Sequence, residues 1–347
     1  MKKALIPAAL ALAFAGTANA QLSLYGLIDM SYGKSLLGDV FLGPVGGNGI
    51  RQGEKADFHS GGDNGSSEGN STTRVGIKGA VDVGSGVKAN FRFETGGIDS
   101  DGEVNGGGNF FNRQAWFGLS GGFGEVRIGR QDSVSFQQMI DFDFNGASNG
   151  VSAGAYSSVG VFLPGRQSRS LQYITPTMGG LTAQFGFVPK GNRQAQQPAG
   201  VSAKDIFSIG GKYAAGPLLI GASYQSKGAS DEQDFTSVAG SYDFGVAKVM
   251  LGYADGGKFS KGGSGSGPSV GLVAPVAGVN VGFHYAQNTD DDLKITSAEF
   301  FINKEVFKNT YFYAEAGNWK TSKAVNPLAA DGKRKGTGYA AGVIFTF

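Results

Sequence analysis

The chain has 347 residues, of which 60 are glycine, with 40% apolar residues, no cysteine and a formal net charge of +2. The lack of cysteine excludes disulfides and thiolate metal sites, and the near-neutral charge gives no indication of a nucleic-acid partner. Glycine far above the usual share of about 7%, together with abundant Phe and Tyr, favours many strands and tight turns over helices.

The first twenty residues have the form of a cleaved secretory signal. Lys2 and Lys3 precede an apolar run from Ala4 to Ala15, and small residues end at Ala20. This run is too short to span a bilayer, which takes about 18 to 20 apolar residues. We therefore predict that residues 1–20 are removed and that residues 21–347 form one domain outside the cytoplasm.

The mature segment alternates apolar and polar residues with a period of two. In Val87–Glu94 the odd positions are apolar and the even ones polar, and Val279–Tyr285 repeats the pattern. Such alternation is typical of strands with one polar face. No later apolar stretch is long enough for a membrane helix, so a membrane protein of this sequence would have to be a closed barrel.

Short connections alternate with long ones along the chain. Asp82–Gly86 and Gly121–Gly124 are short, whereas residues 33–70 and 132–165 are long and polar. Tight turns on one side and long loops on the other are typical of outer-membrane barrels. We predict an all-β fold, a sixteen-stranded antiparallel transmembrane β-barrel, with strands starting near Leu22, Thr72, Val87, Asn112, Glu125, Ser168, Leu181, Lys204, Leu218, Asp234, Val246, Ser269, Val279, Lys294, Thr310 and Lys335.

The chain ends in an apolar strand face with a terminal aromatic residue. Tyr339, Val343, Phe345 and Phe347 share one face by parity. This ending resembles the signal that the outer-membrane assembly machinery recognises in its clients, and it predicts that machinery as a partner.

Several stretches resemble the general porins of beta-proteobacteria. The matching runs are Leu24–Asp29, Thr73–Gly79 and Asn112–Gly124, the last continuing to Ile128–Gln131. The resemblance implies a homotrimer in the outer membrane of a Gram-negative bacterium, in contact with lipid and lipopolysaccharide. It also implies passive diffusion of ions and small hydrophilic solutes, and a third external loop that folds into the barrel. The sequence departs from the usual acidic, glycine-rich loop tip at Asp141–Gly146.

A pore sorts solutes by the size and charge of its narrowest part, so lumen-facing charges are the candidate site residues. Parity points Arg74, Lys78, Arg92 and Arg127 inward. Arg113, Arg130 and Arg169 have outward parity, but an arginine facing lipid at mid-membrane costs about 2 to 4 kcal/mol. This cost favours a bulge that re-aims Arg130, and a bulge, a higher position or a subunit contact for Arg113 and Arg169. The predicted constriction therefore comprises Arg74, Lys78, Arg92, Arg113, Arg127, Arg130 and Arg169, opposed by Asp141 and Asp143 of the third loop.

Two interpretations of these arginines stay open. They could give the pore a mild preference for anions, or they could pair with Glu94, Asp29 or loop carboxylates and only stiffen the wall. A solute-specific channel and, less favoured, a barrel enzyme are the alternative functions. His59 and His284 are the only histidines and have no metal-site or triad spacing, so we expect no catalytic, metal or cofactor site.

Overall fold

The computed structural model describes residues 20–36, 55–104, 109–156, 165–257, 265–290, 293–322 and 335–347. The predicted signal segment lies outside these residues except for Ala20. The strands are β1 (Ala20–Lys34), β2 (Asp57–Ser60), β3 (Arg74–Gly84), β4 (Val87–Gly96), β5 (Gln114–Gly121), β6 (Gly124–Asp132), β7 (Arg166–Ile174), β8 (Leu181–Val188), β9 (Ile206–Ala215), β10 (Leu218–Gln225), β11 (Phe235–Asp243), β12 (Lys248–Gly257), β13 (Gly265–Val276), β14 (Val279–Asp290), β15 (Leu293–Phe307), β16 (Thr310–Thr321) and β17 (Lys335–Thr346).

Helices are few and short. They are α1 (Asp63–Ser66), α2 (Val134–Met139) and α3 (Ala153–Tyr156), with 3-10 turns at Ile140–Phe142 and Gly191–Gln196. Within the described ranges, none of the helices has the length and apolar character required to cross a bilayer.

The sheet closes on itself because β1 pairs along both edges. One edge pairs with β17, with Leu27 opposite Thr346. The other edge pairs with β3, and this pairing ends where Leu27 lies opposite Arg74. Beyond β3, the short strand β2 continues that edge opposite residues 30–33. From β3 onward each strand pairs antiparallel with the next, which gives a closed sixteen-stranded barrel.

The barrel carries apolar side chains on its outside and polar side chains on its inside, the reverse of a water-soluble protein. On β14, Phe283 is 42% exposed while its neighbour His284 is 1% exposed. On β11, Val238 points outward, whereas Ser237 is buried and lies 2.7 Å from the hydroxyl of Ser223. Large apolar side chains therefore cover the outside, where they contact lipid, and polar side chains cover the inside.

The described part of the connection between β6 and β7 packs inside the barrel, its first half against β8 to β12 and its second half against β14 to β16. It begins with α2, whose N-terminus is capped by Ser133, because its Oγ accepts the Phe136 N–H at 3.0 Å. Met139 and Phe142 are fully buried and pack on Met250 of the wall. The loop therefore covers one side of the lumen and leaves the side formed by β3 to β7 open.

Glycines on the inner wall make room for this loop. A Cβ atom on Gly221 would lie 2.6 Å from Cε2 of Phe142, and one on Gly210 would lie 2.8 Å from Cγ of Gln138. Contacts this short exclude any larger residue unless the loop moves. The small residues of β9 and β10 thus set how closely the loop approaches the wall.

The predicted fold is confirmed in strand number, barrel closure and the inward third loop. The largest difference in a strand start is at β13, which the sequence predicts from Ser269 and which begins at Gly265. The sequence does not predict β2, which lies within the long first connection. Its four residues are stabilised by pairing with β1, a contact that local sequence patterns do not encode.

We predict that Gly221→Val lowers the melting temperature of the protein in detergent, because overpacking at Phe142 costs about 1 to 3 kcal/mol. Gly240→Val is the matched control. A Cβ atom on Gly240 has no neighbour closer than 3.8 Å. Because positions 239 and 241 of β11 face inward, a side chain at position 240 would face outward, away from the loop. Circular dichroism during heating checks the difference, and equal melting temperatures would contradict the proposed packing.

Candidate functional site

A cavity of about 810 Å³ lies between the inserted loop and the open side of the barrel. Ser148, Asn149 and Phe136 line it from the loop, and five arginines line it from the barrel wall. We call this set the arginine wall; it comprises Arg74, Arg92, Arg113, Arg130 and Arg166. Each of the five strands from β3 to β7 carries one of them, or is directly preceded by one, so the guanidinium groups form a continuous basic surface.

Glu94 organises the centre of this wall. Its carboxylate is 2% exposed and accepts hydrogen bonds from Arg92 Nη2 at 2.6 Å, Arg113 Nε at 2.5 Å and the Tyr25 hydroxyl at 2.7 Å. Charge-assisted contacts of this kind hold guanidinium groups in fixed orientations. The pairing of arginines with Glu94 was one of the two open interpretations, and it holds for Arg92 and Arg113.

The cavity nevertheless keeps an excess of positive charge. Among the residues that the structure describes, its lining contains the five arginines but only two carboxylates, Glu94 and Asp132. Asp132 pairs with Arg166 at 3.1 Å. Arg74 bonds to the carbonyl oxygen of Thr72, and no carboxylate among the described residues pairs with its guanidinium group. The pairing therefore orders the arginines without neutralising them.

Arg130 lies opposite a bulge in β7. Gly129 pairs with Ser170 and Gln131 with Gln167, so the extra residue lies in β7, while Gly129 of β6 has a φ of 138°. Arg130 lines the cavity despite its outward parity, in keeping with the cost of placing an arginine in lipid. Arg130 then donates from Nε to the Asn112 carbonyl at 2.5 Å and from Nη1 to the Ser168 hydroxyl at 2.7 Å.

Arg113 and Arg166 lie just outside regular alternation. Arg113 precedes the first residue of β5, so strand parity does not govern its side chain, which turns toward Glu94. Sequence reasoning misses Arg166 because it starts β7 at Ser168. Parity along β7 does not reveal Arg166 either, because the extra residue between Gln167 and Ser170 interrupts the alternation.

Lys78 and Arg127 lie beside a second, smaller cavity. Lys78, Arg92 and Glu125 line this space of about 330 Å³. The Arg127 guanidinium bonds to Glu125 at 2.6 Å and lies 4.6 Å from the centre of the Trp116 ring. Arg127 also reaches the inserted loop, because its Nη1 donates to the Gln137 side-chain oxygen at 3.4 Å, and neither Lys78 nor Arg127 lines the larger cavity.

The remaining predicted site residues lie elsewhere. Arg169 is exposed, has a positive φ of 57° and does not line the cavity. Asp141 pairs with Lys212 of β9, and Asp143 is buried within 3.9 Å of His284 of β14. The expectation that both aspartates face the basic wall does not match this placement. Phe142 between them is anchored in the opposite wall, which turns its neighbours away from the arginines.

The sequence of this chain is similar to those of known outer-membrane proteins. The sequence profile of a family described as Gram-negative porin matches residues 7–324. An outer membrane porin protein of Bordetella pertussis is 33% identical over 282 residues, covering 73% of this chain and 69% of the relative. Outer membrane porin protein 32 of Delftia acidovorans is 30% identical over 269 residues, covering 72% and 68%.

A solved structure extends the likeness to the fold. The anion-selective porin from Comamonas acidovorans superposes with a TM-score of 0.73 at 23% identity, covering 94% of this chain and all of that chain.

We predict that Gly129→Ala lowers the melting temperature in detergent. A Cβ atom there would lie 2.2 Å from the Ala115 carbonyl oxygen, and the strained backbone adds a cost of about 1 to 3 kcal/mol. Gly122→Ala, in the turn of the same hairpin, is the control because a Cβ atom there would have no neighbour within 4 Å and its φ lies outside the left-handed region. An unchanged melting temperature for Gly129→Ala would contradict the close backbone packing assigned to Gly129.

Proposed function

The chain belongs to the Gram-negative porin family, and from this membership we propose a diffusion channel with a mild preference for anions. The protein is an outer-membrane β-barrel through which small hydrophilic solutes diffuse passively. Family and fold indicate a channel rather than an enzyme. Our proposal is that this channel prefers anions to cations.

The positive excess of the arginine wall is the observation that supports anion preference. A single charge about 10 Å from a passing ion in water contributes about 0.4 kcal/mol, which changes the local ion concentration about twofold. An excess of a few charges in a confined passage therefore produces a preference of several-fold, not exclusion of cations. Screening by salt weakens this effect, because the Debye length falls from about 10 Å at 0.1 M to about 3 Å at 1 M.

Within this proposal, the residues at the larger cavity act directly on the passing ion. Arg74 and Arg130 contribute most, because neither bonds to a carboxylate among the described residues. Arg92 and Arg113 share Glu94, so the charge of this group is reduced. Lys78 and Arg127 act on ions as they enter or leave the smaller cavity.

The assembly and surroundings of the barrel also belong to this proposal. We infer a homotrimer in a membrane that contains lipopolysaccharide, delivered by the outer-membrane assembly machinery. A Vibrio cholerae outer membrane protein with the same fold has been solved in a trimer form, at 12% identity to this chain and a TM-score of 0.62. Light scattering in mild detergent tests the oligomer, and a monomer mass would contradict it.

We predict that Arg130→Gln reduces the anion-to-cation permeability ratio by a factor of about two. The reversal potential across a planar bilayer under a salt gradient measures this ratio. Lys308→Gln removes the same charge from an exposed position in the turn between β15 and β16, and it should leave the ratio unchanged. Cation preference in the unsubstituted protein would contradict the proposed selectivity.

We predict that Glu94→Gln shifts the permeability ratio in the opposite direction, toward anions, by a similar factor of about two. The substitution keeps the size of the side chain and removes one negative charge from the cavity lining. Glu305→Gln, at an exposed position near the end of β15, is the matched control. If Glu94→Gln lowered anion preference instead, the main role of Glu94 would be to hold the arginines in place.

A further inference from the structure

A second polar cluster lies where the inserted loop meets the wall formed by β14 and β15. Asp143 of the loop, His284 of β14 and Glu299 of β15 are all buried. Nδ1 of His284 lies 3.3 Å from Oε1 of Glu299 and 3.9 Å from Oδ2 of Asp143. The three side chains can each direct one ligand atom into a space where these atoms lie within 4.8 Å of one another.

The imidazole of His284 is poorly satisfied as it stands. The residue is 1% exposed, and neither ring nitrogen has a hydrogen-bond partner in the part of the chain that the structure describes. Buried polar atoms are almost always hydrogen-bonded, and an unsatisfied one is costly. A ligand that takes the lone pair of Nδ1 would remove the part of this cost that arises at Nδ1.

The cluster also carries uncompensated negative charge. Across the described ranges, His284 is the only basic side chain paired with Asp143 or Glu299. A third buried carboxylate, Glu315, lies close by, because the Asn145 amide donates to both Glu299 and Glu315. With Asp143 and Glu299 ionised, a charged imidazole would leave these two carboxylates with one uncompensated negative charge, whereas a divalent cation would balance both.

We propose that Asp143, His284 and Glu299 bind a divalent transition-metal ion of the Zn²⁺ type. One imidazole nitrogen and two carboxylate oxygens form a donor set that suits such ions. Ligand bonds of about 2.0 to 2.2 Å around one centre place donor atoms roughly 3 to 4.4 Å apart. The 3.3 and 3.9 Å separations fit this range without moving the backbone.

Other bonds already orient the two carboxylates. Asp143 Oδ2 accepts from the Ser152 hydroxyl at 2.8 Å, and Glu299 Oε1 accepts the Ala153 N–H at 3.1 Å. Outer contacts of this kind hold ligands in position for a metal. The ion would join the loop to two wall strands and thereby hold the face of the loop that lines the passage.

The test uses full-length protein in detergent, stripped with a chelator and then supplied with Zn²⁺ alone. We expect one bound ion per chain, measured by elemental analysis after gel filtration, and a higher melting temperature with Zn²⁺ than without it. His284→Gln and Asp143→Asn should each weaken Zn²⁺ binding by at least about 100-fold. In crystals of the unsubstituted protein, anomalous scattering at the zinc edge should give a peak between the three side chains.

The chain offers a matched control because it contains only two histidines. His59→Gln, in the first long connection, should keep Zn²⁺ binding and the melting shift. The crystal measurement needs no variant, so it decides the matter even if His284→Gln fails to fold. The proposal is overturned if the unsubstituted protein retains no Zn²⁺, if His284→Gln binds as well as the parent, or if only His59→Gln loses the ion.

Discussion

The pairing of β1 with β17 is the interaction on which the rest of the structure depends. In hydrocarbon no water can satisfy exposed backbone groups, so a sheet must close before it can span a membrane. Closure uses both edges of β1, from Ala20 to Lys34, and the last strand of the chain. The alternation of outward apolar and inward polar residues then follows from the pleat of each strand, and a polar lumen is its direct consequence.

Packed side chains of the inserted loop fill one side of the lumen and leave the other side open. Glycines at 210 and 221 let the loop approach β9 and β10 closely, and Phe142 and Met139 fill the space that remains. Because that side is occupied by packed apolar side chains, water and solutes are left with the side lined by β3 to β7. The basic character of the passage is therefore a result of where the loop packs as much as of how many arginines the chain contains.

Departures from regular strand geometry supply much of the arginine wall. Arg130 follows Gly129, which has a φ of 138°, and lies opposite the bulge in β7, and Arg113 precedes the first residue of its strand. Both residues would face lipid if the strands alternated without interruption. A buried carboxylate, Glu94, then ties two of the guanidinium groups together. Local irregularity and one shared counter-charge thus place charges in the lumen that a perfect barrel would exclude.

The sequence by itself determined the barrel, the strand number, the strand starts to within a few residues and the inward direction of Arg74 and Arg92. These properties repeat with a period of two or end at short turns, so they can be read locally. Tertiary structure decided the rest: that Arg166 joins the wall, that Arg169 does not, and that Asp143 meets His284 and Glu299. Contacts between a loop and strands far along the chain leave no periodic trace in the sequence, because they depend on how the loop packs inside the closed barrel.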